Sequence, residues 1–271
     1  MNGKVNSVKD YIDCIEQIRK KSRLNYSMVF RGQGDSSWEI CSTLERVGIP
    51  EISMKEYYEA VDYLKPEINS LGRHFERKWA GNGYDFDFTK WEDISFNRFP
   101  DIGYLSYLRH HGFPTPLIDV TQSEYIALFF ACEDMNEEKD AKVFVIRDDW
   151  GSTWMSGRPE LHKIGHFLES DRRHIAQQSE YLLTAQFTNR GDVSEWDFVS
   201  FSSFIDAYSY LSEDFNADSK AMFEIEIAGK AKKSIMTELS KMNINHYTLY
   251  LDEDSLVKKL KYDFLRYKNV L

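Results

Sequence analysis

His110-His111-Gly112-Phe113-Pro114-Thr115-Pro116-Leu117-Ile118-Asp119-Val120-Thr121-Gln122-Ser123 runs without interruption into the apolar stretch Tyr125–Cys132. Upstream, a helical pattern over Asp101–His111 stops at Gly112, which suits the position just past a helix C-terminus. Pro114 and Pro116 push the residues before them out of helical conformation, so Phe113–Pro116 is extended. Leu117–Val120 then has the apolar character of a short buried strand. Thr121 and Glu124 carry the spacing of a capping box, which opens a helix over Ser123–Cys132. Helix, strand and helix in so short a span predict a mixed α/β chain.

Working outward, Val8, Tyr11, Ile12, Ile15 and Ile18 recur at helical spacing behind a Ser7/Asp10 capping pair. Tyr26–Arg31 reads as a buried strand that ends at the turn Gly32-Gln33-Gly34-Asp35. Ser53 and Glu56 form a further capping pair, opening a helical stretch towards Ala80 that Pro66 must start, break or kink. Gly81–Asp87 is a loop. Strands follow at Ala141–Arg147, Glu180–Phe187 and Ala221–Ile227, then a helix over Lys230–Met242, a strand over Tyr247–Leu251 and a closing helix over Ser255–Tyr267. No repeat or long linker divides the chain. The expected organisation is an N-terminal helix within residues 1–24, packed on one globular unit over residues 25–271.

Apolar residues are 42% and charged residues 29% of the 271, enough for a substantial core, and aromatics reach 15%. A net charge of −10 argues against non-specific nucleic-acid binding, which needs a basic surface to displace counterions. It leaves room for one local anion site built from a few Arg side chains and backbone N–H groups. Cys14, Cys41 and Cys132 are scattered and have neither disulfide-framework nor metal-ligand spacing. With a polar start at Met1–Ser7 and no run near the roughly 20 apolar residues of a membrane span, a cytoplasmic protein with no membrane partner is expected.

Arg31, at the end of a strand and followed by Gly32, is placed to offer a guanidinium fork to a phosphate or carboxylate, and Gly32 admits a ligand or another backbone. Equally, Arg31 is placed for a structural salt bridge to a core carboxylate such as Asp119. The strand–turn–helix at 110–123 gathers hydroxyls and free N–H groups, which suits an anion or a sugar. It also suits simple capping by Thr121. Other chemistries lack their residues. Adjacent His110 and His111 point about 100° apart on a helix, so they make a poor metal pair. Gly81-Asn82-Gly83 lacks a Walker-type Lys. Asp85, Asp87, Asp252 and Asp254 lack the Gly and distal Glu of an EF-hand.

Phe30-Arg31-Gly32-Gln33, followed by Gly112, Thr115, Leu117, Asp119, Thr121, Ser123, Ala127 and Phe130-Ala131, resembles the FRG-domain family. Met242-Asn243-Ile244-Asn245 with Thr248-Leu249-Tyr250 and Asp252 resembles that family's closing segment. Pro116, Val120 and Ser179 depart from its pattern. The motif order is also similar to Arg–Ser–Glu class ADP-ribosyltransferases, which implies an α+β fold with a split β-sandwich. It implies NAD as substrate, bound by Arg31, Gly32, Thr121, Ser123, His111 and Thr115. Glu180 would stabilise an oxocarbenium-like transition state and Gln178 would orient the acceptor. Arg172-Arg173-His174 is either a second phosphate contact or a solvated basic turn. The resemblance thus implies transfer of ADP-ribose to a macromolecular acceptor, in the setting of a toxin or antiphage effector. The alternatives are an NAD glycohydrolase, a non-catalytic module for a nucleotide-like ligand, and a structural domain with Arg31 paired. On all but the last, Arg31 should lie near the Thr121–Ser123 turn.

Overall fold

The computed structural model describes residues 3–21, 28–49, 52–77, 99–147, 158–165, 168, 172–187, 199–214 and 221–268. The loop expected at Gly81–Asp87, and Tyr26 and Ser27 at the expected start of the first strand, lie outside the described residues. The fold is α+β. Strand β1 (Met28–Gln33) pairs antiparallel with β4 (Ala141–Arg147), which pairs with β8 (Met222–Ile227). Strand β3 (Ile118–Thr121) pairs with β6 (Ser179–Phe187), and β6 also carries β5 (Pro159–Ile164) and β7 (Val199–Phe201), beyond which lies β2 (Ile52–Ser53).

These two ladders meet at one residue pair, Phe30 opposite Thr121. The described strands therefore form one connected eight-stranded sheet rather than the two separate sheets expected. Beyond that pair β1 continues through Arg31–Gln33 and β3 runs back through Val120 and Asp119 with no shared register. The split is a wedge inside the sheet.

Apolar periodicity explains what covers the sheet. Helix α1 (Val8–Lys21) buries Val8, Tyr11, Ile15 and Ile18 in one cluster with Phe30, Val143 and Val145. Helix α6 (Glu124–Cys132) and helix α9 (Lys232–Lys241) join that cluster through Ala127, Ala131, Ile235 and Leu239. Helices α3 (Met54–Asp62) and α5 (Ile102–His110) pack on Tyr181, Leu183 and Ala185 of β6. Phe204 and Ala207 of α8 (Phe204–Asp214) pack with Val29, Ile118, Val120 and Phe144. Successive residues of β1 and of β6 feed different clusters, and in β3 Ile118 and Val120 face one cluster while Asp119 and Thr121 face the other side, as the period of an extended strand requires.

Local expectations changed where side chains chose different caps. Thr121 does not cap α6. Ser123 does, its Oγ accepting from Ile126 N at 3.3 Å. Ser53 precedes α3 without a side-chain cap bond. Ser42 and Glu45 instead make a full capping box on α2 (Thr43–Arg46). Pro66 starts α4 (Lys65–Asn69). Gly112 sits at φ 82 just past α5, as expected of a helix stop.

Tyr247–Leu251, expected as a strand, forms helix α10 (His246–Tyr250). Asn245 and Thr248 cap it reciprocally, and Leu251, at φ 59, ends it. Asp252 then caps α11 (Glu253–Tyr267), accepting from Ser255 N at 2.7 Å. Capping by Asn and Asp overrode the β-propensity of Tyr, Thr and Leu.

His162 on β5 is buried, and burial pushes its pKa from 6.5 down to about 3. The folded state therefore refuses a proton that the unfolded chain accepts below pH 6.5. This contribution is complete above that pH and is lost as pH falls towards the folded value. Between pH 7 and 4.5, wild type should lose about 2–3 kcal/mol more unfolding free energy than His162→Leu. Urea titrations at the two pH values measure this, and equal losses would mean that His162 titrates normally.

Candidate functional site

The wedge between β1 and β3 is the floor of a cavity of about 350 Å³. Arg31, Arg46, Arg109 and Arg173 all line it, with Asp119 as the sole carboxylate among the lining residues. Arg31 comes from β1, Arg46 from the end of α2, Arg109 from the last turn of α5, and Arg173 from α7 (Arg172–Ala176).

Arg31 Nη1 donates to the Asp119 backbone oxygen at 2.7 Å and lies 4.0 Å from its Oδ2. Arg109 Nη2 takes that same Oδ2 at 2.5 Å. Two guanidinium groups thus share one carboxylate. Burial disfavours the Arg31 charge and lowers its pKa, Asp119 opposes that shift, and Arg109 adds to it. The Nε atoms of Arg31 and Arg109 are both buried with no hydrogen-bond partner. An anion arriving in the wedge would meet donors whose desolvation has already occurred.

The wall opposite is fixed by a short set of bonds. Thr121 Oγ1 donates to Gln177 O at 2.7 Å and accepts from Ser123 N at 3.1 Å. Gln122 N donates to Gln178 O at 3.1 Å, and Gln177 Nε2 to Leu249 O at 3.1 Å. Arg173 lies over the Tyr250 ring, 4.8 Å from its centroid, with Nη2 3.1 Å from Asp252 Oδ2. Burial and the Glu133 carboxylate raise the Tyr250 pKa, so its hydroxyl remains protonated at the cavity wall.

The structure brings together only part of the set expected from sequence. Arg31, Gly32 and Thr121 line the cavity. Ser123 caps α6 and is not a lining residue. His111 is exposed, with its ring 4.4 Å from that of Tyr107, and His110 takes its place at the cavity. Thr115 is buried outside the cavity, where its N–H donates to Thr43 Oγ1 at 2.9 Å and its oxygen accepts from Leu44 N at 3.1 Å. Its contribution is to hold α2, and with it Arg46.

Gln178 is an exposed turn residue at φ 46, while its neighbours Gln177 and Ser179 line the cavity. Glu180 is buried outside the lining, its Oε1 accepting from Gln122 Nε2 at 2.6 Å and its Oε2 lying 3.3 Å from Lys163 Nζ. The alternation of an extended strand explains this: Ser179 turns to the cavity, so the next side chain turns away.

Arg46, Arg109, Trp38 and Tyr250 were missed by sequence reasoning. One signal was available for Arg46, which directly follows the Ser42/Glu45 capping box. Among the described residues no group of three or more His, Cys, Asp and Glu is placed to hold a metal ion, and no helix is long and apolar enough to cross a membrane.

A comparison with curated proteins and one with solved structures each found no match. A family model does match, over residues 26–140, and it covers β1, α2, α5, β3 and α6. Arg31, Arg46, Arg109, Asp119 and Thr121 lie inside the match, whereas Arg173, Gln177, Ser179 and Tyr250 reach the cavity from beyond it. The matching family model is that of the FRG domain, and the wedge with its shared carboxylate lies within the residues it matches, 26–140.

Proposed function

We propose that the Arg31 cavity binds a nucleotide-like anion, with NAD the ligand implied by the motif resemblance. The observation that carries this reading is the convergence of four arginines on one cavity lined by a single carboxylate. Holding like charges together, one of them buried, is unfavourable in itself, and an anionic group relieves it. Isothermal calorimetry of the full chain with NAD and with ADP tests this. Saturable binding by wild type and its loss in Arg31→Met are expected, and heat-silent titrations with both nucleotides would count against the reading.

Transfer of ADP-ribose from NAD to a macromolecular acceptor, or to water as a glycohydrolase, is the second reading. Gln177 and Ser179 favour it, since both border the cavity beside Thr121. In this reading Glu180 must leave Gln122 and Lys163 to reach C1′ of the ribose, or Asp119 must serve as the carboxylate. Glu180→Gln separates the cases. From its pairing, the variant should lose about 1–3 kcal/mol of stability and keep its NAD affinity. If NAD cleavage at saturating NAD instead falls roughly 10²-fold with the melting temperature unchanged, the carboxylate acts in the transition state. A setting as toxin or antiphage effector rests on the family resemblance.

A further inference from the structure

Trp38 lines the same cavity and is 55% exposed. Of the other exposed aromatic rings, Tyr63 carries Arg77 at 5.1 Å from its centroid and Tyr267 on α11 carries Lys268 at 5.4 Å, while Tyr247 on α10, outside the cavity lining, carries none among the described residues. Among the described residues Trp38 has no such ring or cation contact.

Its backbone is nonetheless held firmly. Trp38 N donates to Asp35 O at 3.2 Å, and Asp35 Oδ1 accepts from Ser37 N at 3.0 Å and Ser37 Oγ at 2.7 Å. Lys139 Nζ holds Asp35 Oδ2 at 2.7 Å, and the buried Lys232 donates to Gly34 O at 2.7 Å. An indole carried on a braced turn, open to solvent and beside an arginine-lined cavity, is available to stack on a planar group.

We propose that Trp38 is the platform for the aromatic base of the ligand, so that the cavity selects nucleotides over base-free phosphates. Arg31 and Arg109 take the phosphates at the floor, and Trp38 takes the base at the mouth. This rests on the anion-binding reading above and adds a requirement to it.

Calorimetry with ADP and with inorganic pyrophosphate separates the two claims. Wild type should bind ADP roughly 10-fold or more tighter than pyrophosphate, in line with base–aromatic stacking. Trp38→Ala should remove that advantage and leave pyrophosphate affinity within about twofold, and Trp38→Phe should restore most of it. Because Trp38 is exposed, both variants should melt like wild type. Pyrophosphate and ADP binding equally to wild type, or Trp38→Ala binding ADP as wild type does, overturns the base platform alone. No binding of either ligand by wild type overturns the anion site and the platform together.

Discussion

Gly32→Ala is expected to destabilise the protein by about 3 kcal/mol or more, the upper range for overpacking. A Cβ on Gly32 would fall on the carbonyl oxygen of Ala127 and within 2.7 Å of Ala131 N. Both are backbone atoms of α6, so no side chain can swing aside, and the helix must shift as a body. That shift would reach the cavity, because α6 begins at Ser123, whose N–H is tied to Thr121 Oγ1. Gly34→Ala is the matched control two residues on. Its Cβ would meet the end of the Asp134 side chain at 3.0 Å, which can move. Thermal melts should put Gly32→Ala roughly 6–12 °C below wild type and Gly34→Ala close to it. Equal melts for the two variants would show that α6 can slide and that close packing is not why Gly stands at 32.

The strands that were legible from sequence were those with long apolar runs. Ala141–Arg147 was read with the bounds it has, and β6 and β8 within a residue. Residues that become strand only through pairing were not legible. β2 and β7 are two and three residues long and exist because β7 adds to the edge of β6. The Tyr247–Leu251 error has a local cause, since the Asn245/Thr248 box is not the Ser/Thr-x-x-Glu pattern that marked the other candidates.

The site was legible in its centre and not in its rim. Arg31 and Thr121 could be brought together from sequence because both are expected at strand ends next to turn residues. The structure pairs their strands at Phe30 and Thr121 but places Arg31 inside β1, which continues through Gly32 to Gln33 by pairing with β4. Arg109 and Arg46 reach the cavity from separate helices, through contacts that no local pattern encodes. Glu180 shows the opposite failure. Its neighbours Gln177 and Ser179 are at the cavity, and one step along an extended strand turned the carboxylate towards Lys163 instead. Motif order located the segment, but side-chain parity decided which residue faces the cavity.

Arg31→Met is expected to lower nucleotide affinity by roughly 30-fold or more, the cost of removing a buried charge-assisted contact, without lowering the melting temperature. Met retains much of the stem packing and removes only the guanidinium. Burial opposes the Arg31 charge. Asp119 keeps Arg109 at 2.5 Å, so its carboxylate is not left alone when Arg31 is gone. Replacing a buried charge with an apolar side chain of similar length is often neutral or stabilising when the partner remains satisfied. Lost affinity with unchanged stability would assign Arg31 to ligand binding rather than to holding the fold. The opposite pattern identifies Arg31 as the structural half of a salt bridge: a melting temperature several degrees lower, with nucleotide affinity intact. Calorimetry and thermal melts on the same preparation distinguish these outcomes. Arg31→Lys refines the first, since it retains the charge but not the planar fork. Affinity between wild type and Arg31→Met assigns the remainder to the geometry of the guanidinium on the phosphate oxygens.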